Sequence, residues 1–342
     1  MSVEPRPLDP RSGRPLRVAL IGCGEHATNT LLPALQRVHA PAFELVALCD
    51  ADIAAASALA RRHRVALALA DVDALLRCEL DGAFLCATPS AHQDLTRRLL
   101  EAGVHVFVEK PPASSHRVLA ENAALAERLG LHTQVGHNFR HAPIFRRLRE
   151  HLARHPLRSP ALCVGNYVAR WPREDRWNSG SVAKSFLLTH GAHLIDLVSF
   201  LFGPMHDVES RIEHDPDSGG VLITMDAQHA AGLRTRLQMT NGAPRFGLDL
   251  SVFGDGGDAI RTENFSALRI VSPGEARDTA AAWQPGALDD ALDLAGYVHE
   301  LQCFLSAVAG GPASSPTLRE AVPVYTVLDA IVERAGVTAS AG

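Results

Sequence analysis

The chain has 342 residues, 46% hydrophobic and 21% charged, with a formal net charge of −5. This is the composition of a globular protein long enough for two cores, and with no basic run it carries no electrostatic footprint for nucleic acid or a membrane surface. Six cysteines (Cys23, Cys49, Cys78, Cys86, Cys163, Cys303) are scattered without C-x-x-C spacing. Several lie in apolar strand-like runs, so they read as buried free thiols of a cytoplasmic protein. Residues 1–15, rich in Pro and Arg, read as a flexible tail without an apolar segment of signal-peptide length. No stretch reads as long enough to span a bilayer.

The first strand, Val18 to Ile21, runs into Gly22-Cys23-Gly24, and a helix follows to Val38. Gly22 permits a tight turn, Gly24 lets bare backbone approach a pyrophosphate, and the helix starting near His26 offers unpaired N–H groups and a positive dipole end. Ala27 stands where a third glycine is usual. A second strand, Phe43 to Cys49, ends at Asp50, 26 residues after Gly24, close to the spacing at which a carboxylate meets the adenosine ribose. Ala51 and Asp52 follow, with no Arg to receive a 2′-phosphate, so NAD is expected in preference to NADP. Asp50 or Asp52 also reads as the N-cap of the Ala-rich helix that runs to Arg62.

Further along come a short strand near Leu67, a helix from Asp71, a strand Gly82 to Thr88, a helix Ser90 to Ala102 and a strand Val104 to Glu109. A helix from Ser114 or Ser115 to Leu129 and a strand Leu131 to Val135 complete the series. This alternation predicts a doubly wound parallel sheet, and the continuously apolar strands Ala83 to Ala87 and Val104 to Val108 fit helices on both faces. The fifth strand ends in Glu109-Lys110-Pro111-Pro112. Proline forces its predecessor to be extended, so Lys110 projects at the ligand edge of the sheet. It is there either a solvated charge or a working amine, whose pKa partial burial and a nicotinamide cation would lower.

After Arg140 the rhythm changes. A helix from Pro143 to about His155, a strand Ala161 to Ala169, a polar Trp-rich loop and a helix from about Ser185 to Phe202 precede a block of strands from His206 to Val271. Turns at D-P-D-S-G-G, A-A-G, N-G-A-P and G-D-G-G punctuate that block, which predicts a large, mostly antiparallel open sheet. Helices from Asp290 to Ala309 and Thr317 to Ala335 close the chain. Two domains follow, a dinucleotide-binding domain at 16–136 and a substrate-binding and oligomerisation domain at 137–342, with a crevice at the carboxyl ends of the parallel strands. In the Ser185 to Phe202 helix, Leu187, Gly191, Leu194, Val198 and Leu201 form an apolar stripe, and His193 lies off it, one turn beyond Thr189. His190 and His193 have metal-ligand spacing, but no third ligand of obvious spacing accompanies them, and no metal is expected. A capping or core role suits His190 better than His193.

At this point the chain resembles the Gfo/Idh/MocA oxidoreductase family over residues 17 to about 335. The resemblance rests on the glycine turn at Gly22 to Ala27, C-A-T-P-S-A-H at Cys86 to His92, E-K-P-P-A at Glu109 to Ala113, G-H-N-F-R-H-A-P at Gly136 to Pro143 and G-A-H-L-I-D-L at Gly191 to Leu197. It implies an NAD(P) Rossmann domain followed by an α/β domain with a large open sheet. It places Gly22, Gly24, Glu25, His26, Ala27, Asp50, Ala87, Thr88, Pro89, His92, Glu109, Lys110 and Asn138 at the cofactor. In the family the lysine of E-K-P acts with a histidine matching His193 in proton transfer, and the following proline is often cis, which would fix the direction of Lys110.

Two positions depart from the family pattern. Thr189 stands where sugar dehydrogenases commonly carry an aspartate, so His193 lacks a negative partner and Thr189 is left to orient it. Ala183-Lys184-Ser185 replaces a glycine-rich turn. Lys184, with Arg170, Arg176 and Trp177, is a candidate for holding an anionic group and walling a sugar ring.

The expected reaction is hydride transfer between nicotinamide and a secondary alcohol or ketone of a sugar, cyclitol or nucleotide-linked sugar. The alternatives are a C=N or C=C reductase of the same family, or a catalytically inactive dinucleotide sensor. Apolar strands such as Val221 to Ala227 and Leu248 to Phe253 need cover, and with the resemblance they imply a homodimer or homotetramer.

Overall fold

The computed structural model of the protein describes residues 14–254, 259–271, 281–286 and 290–334. Nearly all of the expected tail, most of the G-D-G-G turn and the end of the last helix lie outside the described residues. The chain forms two compact units, one built from residues up to Asn138 together with Tyr297–Val322, the other from Phe139–Gly296 and the residues from Pro323 onward. The boundary read at residues 136 and 137 lies beside the first of three places where the chain passes between the units.

In the first unit, strands β1 (Leu16–Ile21), β2 (Phe43–Cys49), β3 (Leu67–Leu69), β4 (Gly82–Leu85), β5 (His105–Glu109) and β6 (Thr133–Gly136) form one parallel sheet in the order β3-β2-β1-β4-β5-β6. The order reverses between β1 and β4, which places a ligand crevice at the carboxyl ends of those strands. β4 and β5 are buried at every residue, as continuously apolar strands between two helical layers should be.

The helices are α1 (Leu32–Leu35), which continues a π-turn at Ala27–Leu31, then α2 (Ile53–His63), α3 (Val72–Leu76), α4 (Pro89–Glu101) and α5 (His116–Leu129). Side-chain caps decide the ambiguous starts. Asp52, not Asp50, caps α2, and Ser115 caps α5.

The chain returns to this unit at helix Tyr297–Val308. Phe304 sits with its ring centroid 5.3 Å from Phe84 and 5.9 Å from Phe107, all three fully buried. Each such ring contributes roughly 1.5–3 kcal/mol of transfer free energy. The Val135 N–H donates to the Pro316 carbonyl at 2.8 Å, and the Leu318 N–H to Thr133 Oγ1 at 3.2 Å. The helix expected over 290–309 is interrupted at Ala295–Gly296, where the units change.

The second unit holds an eight-stranded sheet in the order β14-β13-β12-β11-β7-β10-β9-β8. Its strands are β7 (Ala161–Val168), β8 (His206–Asp215), β9 (Gly220–Gln228), β10 (Leu233–Thr240), β11 (Gly247–Gly254), β12 (Ala259–Glu263), β13 (Ala267–Val271) and β14 (Ala281–Trp283). All pairs are antiparallel except β7 with β10. The strand that comes first in sequence therefore lies at the centre. Strict alternation of buried and accessible residues in β7 and β10 gives the sheet one packed face and one open face.

Helices in this unit include α6 (Pro143–Arg154), α7 (Val182–Phe186) and α8 (Ala192–Phe202), the last two joined by a π-turn at Leu187–Gly191. The sequence assigns no membrane-length stretch, yet the 21-residue run Val182–Phe202 qualifies by length and a mean hydropathy of 1.4. With 78% of its apolar window buried inside the protein, it is the central helix of this unit.

Candidate active site

Gly22 turns the chain out of β1 with φ +94°, and a Cβ there would fall 2.1 Å from the Cys86 carbonyl oxygen, so only glycine fits. At Gly24 the situation is opposite. A Cβ would meet nothing within 4 Å, and both Gly24 and Glu25 are exposed. The Thr28 N–H and hydroxyl both donate to the Gly24 carbonyl, at 3.0 and 2.9 Å, which fixes the first turn of the following helix. Buried Ala27 lies within that helix, at the head of the π-turn.

Asp50 accepts the Cys23 N–H on Oδ2 at 2.7 Å and the Asp52 N–H on Oδ1 at 2.8 Å, so its carboxylate is pinned at the mouth of the turn with lone pairs left on both oxygens. Open space beside Gly24 for a pyrophosphate and a fixed carboxylate for ribose hydroxyls suit a dinucleotide.

β5 delivers Glu109 and Lys110 to the same end of the sheet, and the Lys110–Pro111 peptide is cis. Glu109 is 4% exposed and lies 3.2 Å from His26 Nε2. A Cβ at Gly136 would stand 2.9 Å from that carboxylate, so the glycine makes room for it. Burial by itself would raise the Glu109 carboxyl, but His26 and Lys110 hold it below the ordinary range. Burial pushes the partly exposed Lys110 ammonium down, against the opposing pull of Glu109 and Cys86.

His92 braces this arrangement. Its Nε2 accepts the Ala87 N–H at 2.7 Å, so Nδ1 carries the proton and donates to the Pro111 carbonyl at 2.9 Å. Burial lowers its pKa and keeps it neutral. The imidazole thereby ties the turn carrying Ala87, exposed Thr88 and Pro89 to the backbone that aims Lys110. Asn138, buried at 1% exposure, is the last residue of this stretch of the unit.

In the second unit, His193 lies on α8 and is 6% exposed. The expected distinction between an apolar stripe and an off-stripe histidine disappears, because every residue from Ala192 to Val198 is buried. Phe139 stacks on the His193 ring at 4.4 Å and 21°, and Phe265 meets Phe139 edge-on at 4.9 Å. Thr189 donates its hydroxyl proton to the Ser185 carbonyl at 2.6 Å, so toward His193 it can act only as an acceptor. Both π-turns among the described residues, Ala27–Leu31 and Leu187–Gly191, carry residues singled out from the sequence. Such wide turns are frequent at functional sites.

His190 makes a 2.9 Å hydrogen bond to the Tyr167 hydroxyl and an edge contact with Trp171 at 4.9 Å. Lys184 is half-buried on α7, and its N–H is taken by the Ser181 cap. Trp177 sits 40% exposed at φ +58°, and Arg170 is exposed.

Sequence reasoning missed Trp171, Tyr167 and the roles of Phe139 and Arg140. Arg140 forms a buried bidentate pair with Asp196, at 2.7 and 2.6 Å. Both belong to quoted motifs, G-H-N-F-R-H-A-P and G-A-H-L-I-D-L, and an arginine in one with an aspartate in the other was the available signal.

Comparison with known proteins gives two matches along the chain. The oxidoreductase family description with an NAD-binding Rossmann fold covers residues 16–137, and its C-terminal α/β domain covers 149–337. The chain belongs to the Gfo/Idh/MocA oxidoreductase family, and its first domain is an NAD-binding Rossmann domain. Among curated relatives, D-glucoside 3-dehydrogenase of Escherichia coli is 36% identical over 143 residues, 40% of this chain and 38% of that protein. The scyllo-inositol 2-dehydrogenase (NADP(+)) IolU of Bacillus subtilis is 25% identical over 59% of this chain and 65% of its own length. The matched part spans less than two thirds of either relative. Among solved structures, a dehydrogenase from Chromobacterium violaceum superposes with a TM-score of 0.87 at 27% identity, covering 94% of this chain and 95% of that one. GenD2 from gentamicin A biosynthesis, in complex with NAD, shares the fold at TM-score 0.78 and 21% identity, covering 96% and 97%.

Proposed function

We propose that the protein is an NAD-dependent dehydrogenase or reductase acting on a secondary alcohol or ketone of a sugar, cyclitol or nucleotide-linked sugar, in the cytoplasm. The observation that carries this reading is Lys110. An ammonium whose pKa burial has lowered, at the end of a strand whose neighbouring turns are built for a dinucleotide, is poised for proton exchange below the ordinary lysine range. The names of the relatives support sugar-related substrates, and six free cysteines, three of them buried, suit a reducing compartment.

Gly22, Gly24, Glu25, His26 and Ala27 would hold the pyrophosphate side of the dinucleotide and Asp50 its adenosine ribose. Bound there, the nicotinamide supplies or accepts hydride. Lys110 takes the substrate hydroxyl proton in oxidation and returns it in reduction. His193 is the proposed hydrogen-bonding partner of the substrate, and Phe139 stacks on its ring. The test is absorbance at 340 nm with NAD and NADP in turn against a panel of sugars, cyclitols and nucleotide sugars. Turnover with NAD and at least one of these is expected; a protein that binds NAD and turns over none of them is a sensor, and the reading fails.

We further propose a homodimer or homotetramer formed through the open sheet face. Leu162 and Phe253 are register partners on β7 and β11 and are 40% and 45% exposed, and Leu222 on β9 is 38% exposed. Static light scattering at micromolar concentration should give at least twice the 36.7 kDa chain mass. A monomer there ends the proposal.

A further inference from the structure

β7 and β10 are the parallel pair of the second sheet, so their carboxyl ends, Val168 and Thr240, lie side by side and send two loops off the same edge. Backbone bonds lock those loops together. The Ala169 N–H donates to the Thr240 carbonyl at 2.9 Å and the Ala243 N–H to the Ala169 carbonyl at 3.1 Å. Asn241 Nδ2 donates to the Pro172 carbonyl at 2.5 Å, and Arg173 donates to the Asn241 carbonyl at 3.2 Å. Between the loops is a cleft of about 540 Å³ lined by Arg170, Trp171, Arg173, Gly242, Ala243 and Pro244.

The chemistry of this lining is one-sided. Among the described residues it contains two guanidinium groups and no carboxylate. The Arg173 guanidinium is occupied with the Ser218 and Asn241 carbonyls. Arg170 is exposed and, among the described residues, has no hydrogen-bond or ion-pair partner. The nearby Asp175 carboxylate is engaged by Ser179, Gly180 and Ser185, which hold it below its ordinary range and turn it to the loop's own backbone. Trp171 is 47% exposed, carries the Arg176 guanidinium 4.9 Å over its ring and touches His190 with its edge. An accessible indole and an uncommitted arginine on one preformed edge match a ring that bears a negative group.

We infer that this cleft binds an anionic saccharide, its ring against Trp171 and its carboxylate or phosphate on Arg170. The inference rests on the oxidoreductase reading above and narrows its substrate class to charged sugars. It moves the aromatic wall from Trp177 to Trp171, because Trp171, not Trp177, lines the cleft.

Isothermal titration of the full chain with D-glucose, D-glucuronate and D-glucose 6-phosphate, with acetate and inorganic phosphate as ring-free controls, tests it. At least one charged sugar should bind about tenfold or more tightly than glucose and than its ring-free anion, and the stronger of the two identifies carboxylate or phosphate as the recognised group. Arg170→Ala should remove that preference and Trp171→Leu should weaken both neutral and charged sugars, with NAD affinity unchanged in both. Equal affinities for glucose and both charged sugars, or a preference that survives Arg170→Ala, overturns the assignment. The readout needs no turnover. Charged-sugar binding with no turnover of any sugar in the panel leaves the cleft standing and defeats the enzymatic reading, whereas turnover together with charged sugars that bind no better than glucose does the reverse.

Discussion

Lys110→Met is expected to lower turnover by about 10²–10⁴-fold, the usual worth of a positioned acid or base, with NAD affinity close to wild type. Methionine keeps the length and apolar stem of the lysine and deletes only the exchangeable proton. Its folding should not suffer. Burial lowers the Lys110 pKa, so between that value and the unfolded value the unfolded chain binds the extra proton, and stability rises with pH across that window. Below it the buried charge is a net cost, which methionine removes, and the variant should melt at or above the wild-type temperature at pH 7.

The same direction of shift fixes the pH profile. Alcohol oxidation needs the neutral amine, so its rate should climb with pH through an ionisation below the ordinary lysine value of about 10.4, and ketone reduction should fall through the same point. Glu109 raises the Lys110 pKa. Glu109→Gln should therefore move the oxidation limb to lower pH. A Lys110→Met enzyme with wild-type turnover, or a limb that stays in place in Glu109→Gln, removes Lys110 from the reaction.

Asp196→Ala is expected to destabilise the protein by about 3–5 kcal/mol, because it leaves the Arg140 guanidinium buried without its carboxylate. The side chains are only 9% and 1% exposed, so solvent cannot replace the lost partner. Arg140 also lies 5.2 Å over the Phe200 ring, which keeps the guanidinium in the apolar layer. The double variant Arg140→Met with Asp196→Leu should lose much less than Asp196→Ala, since removing both charges removes the desolvation cost with the attraction. Urea unfolding followed by circular dichroism measures both. A loss under about 1 kcal/mol in Asp196→Ala would place the pair among solvent-screened surface bridges.

The Rossmann half was legible because its signals are local. Two glycines after an apolar strand, an acidic residue ending the next strand and a lysine before proline each act through their own backbone or nearest neighbours. Caps were legible as a choice between adjacent residues, and geometry chose Asp52 and Ser115. Thr189 shows where spacing misleads. It stands one turn before His193 in sequence, but a threonine inside a helix readily bonds the carbonyl four residues back, and its proton goes to Ser185. The return of Tyr297–Val322 to the first unit has no local signature at all. It is decided by Phe304 filling the space beside Phe84 and Phe107, and apolar periodicity says that a helix must be covered without saying by what.

The sequence alone determined the alternation that makes a parallel sheet, the dinucleotide turn, the acidic preference for NAD and the placement of Lys110 at a strand end. These follow from steric and hydrogen-bonding rules that operate within a few residues. Tertiary structure alone decided that β7 occupies the middle of the second sheet beside β10, that Phe139 packs on His193, that Arg140 pairs with Asp196 and that Trp171 rather than Trp177 lines a cleft. Each of those depends on which distant surfaces exclude water together, and hydrophobic burial has no direction along the chain.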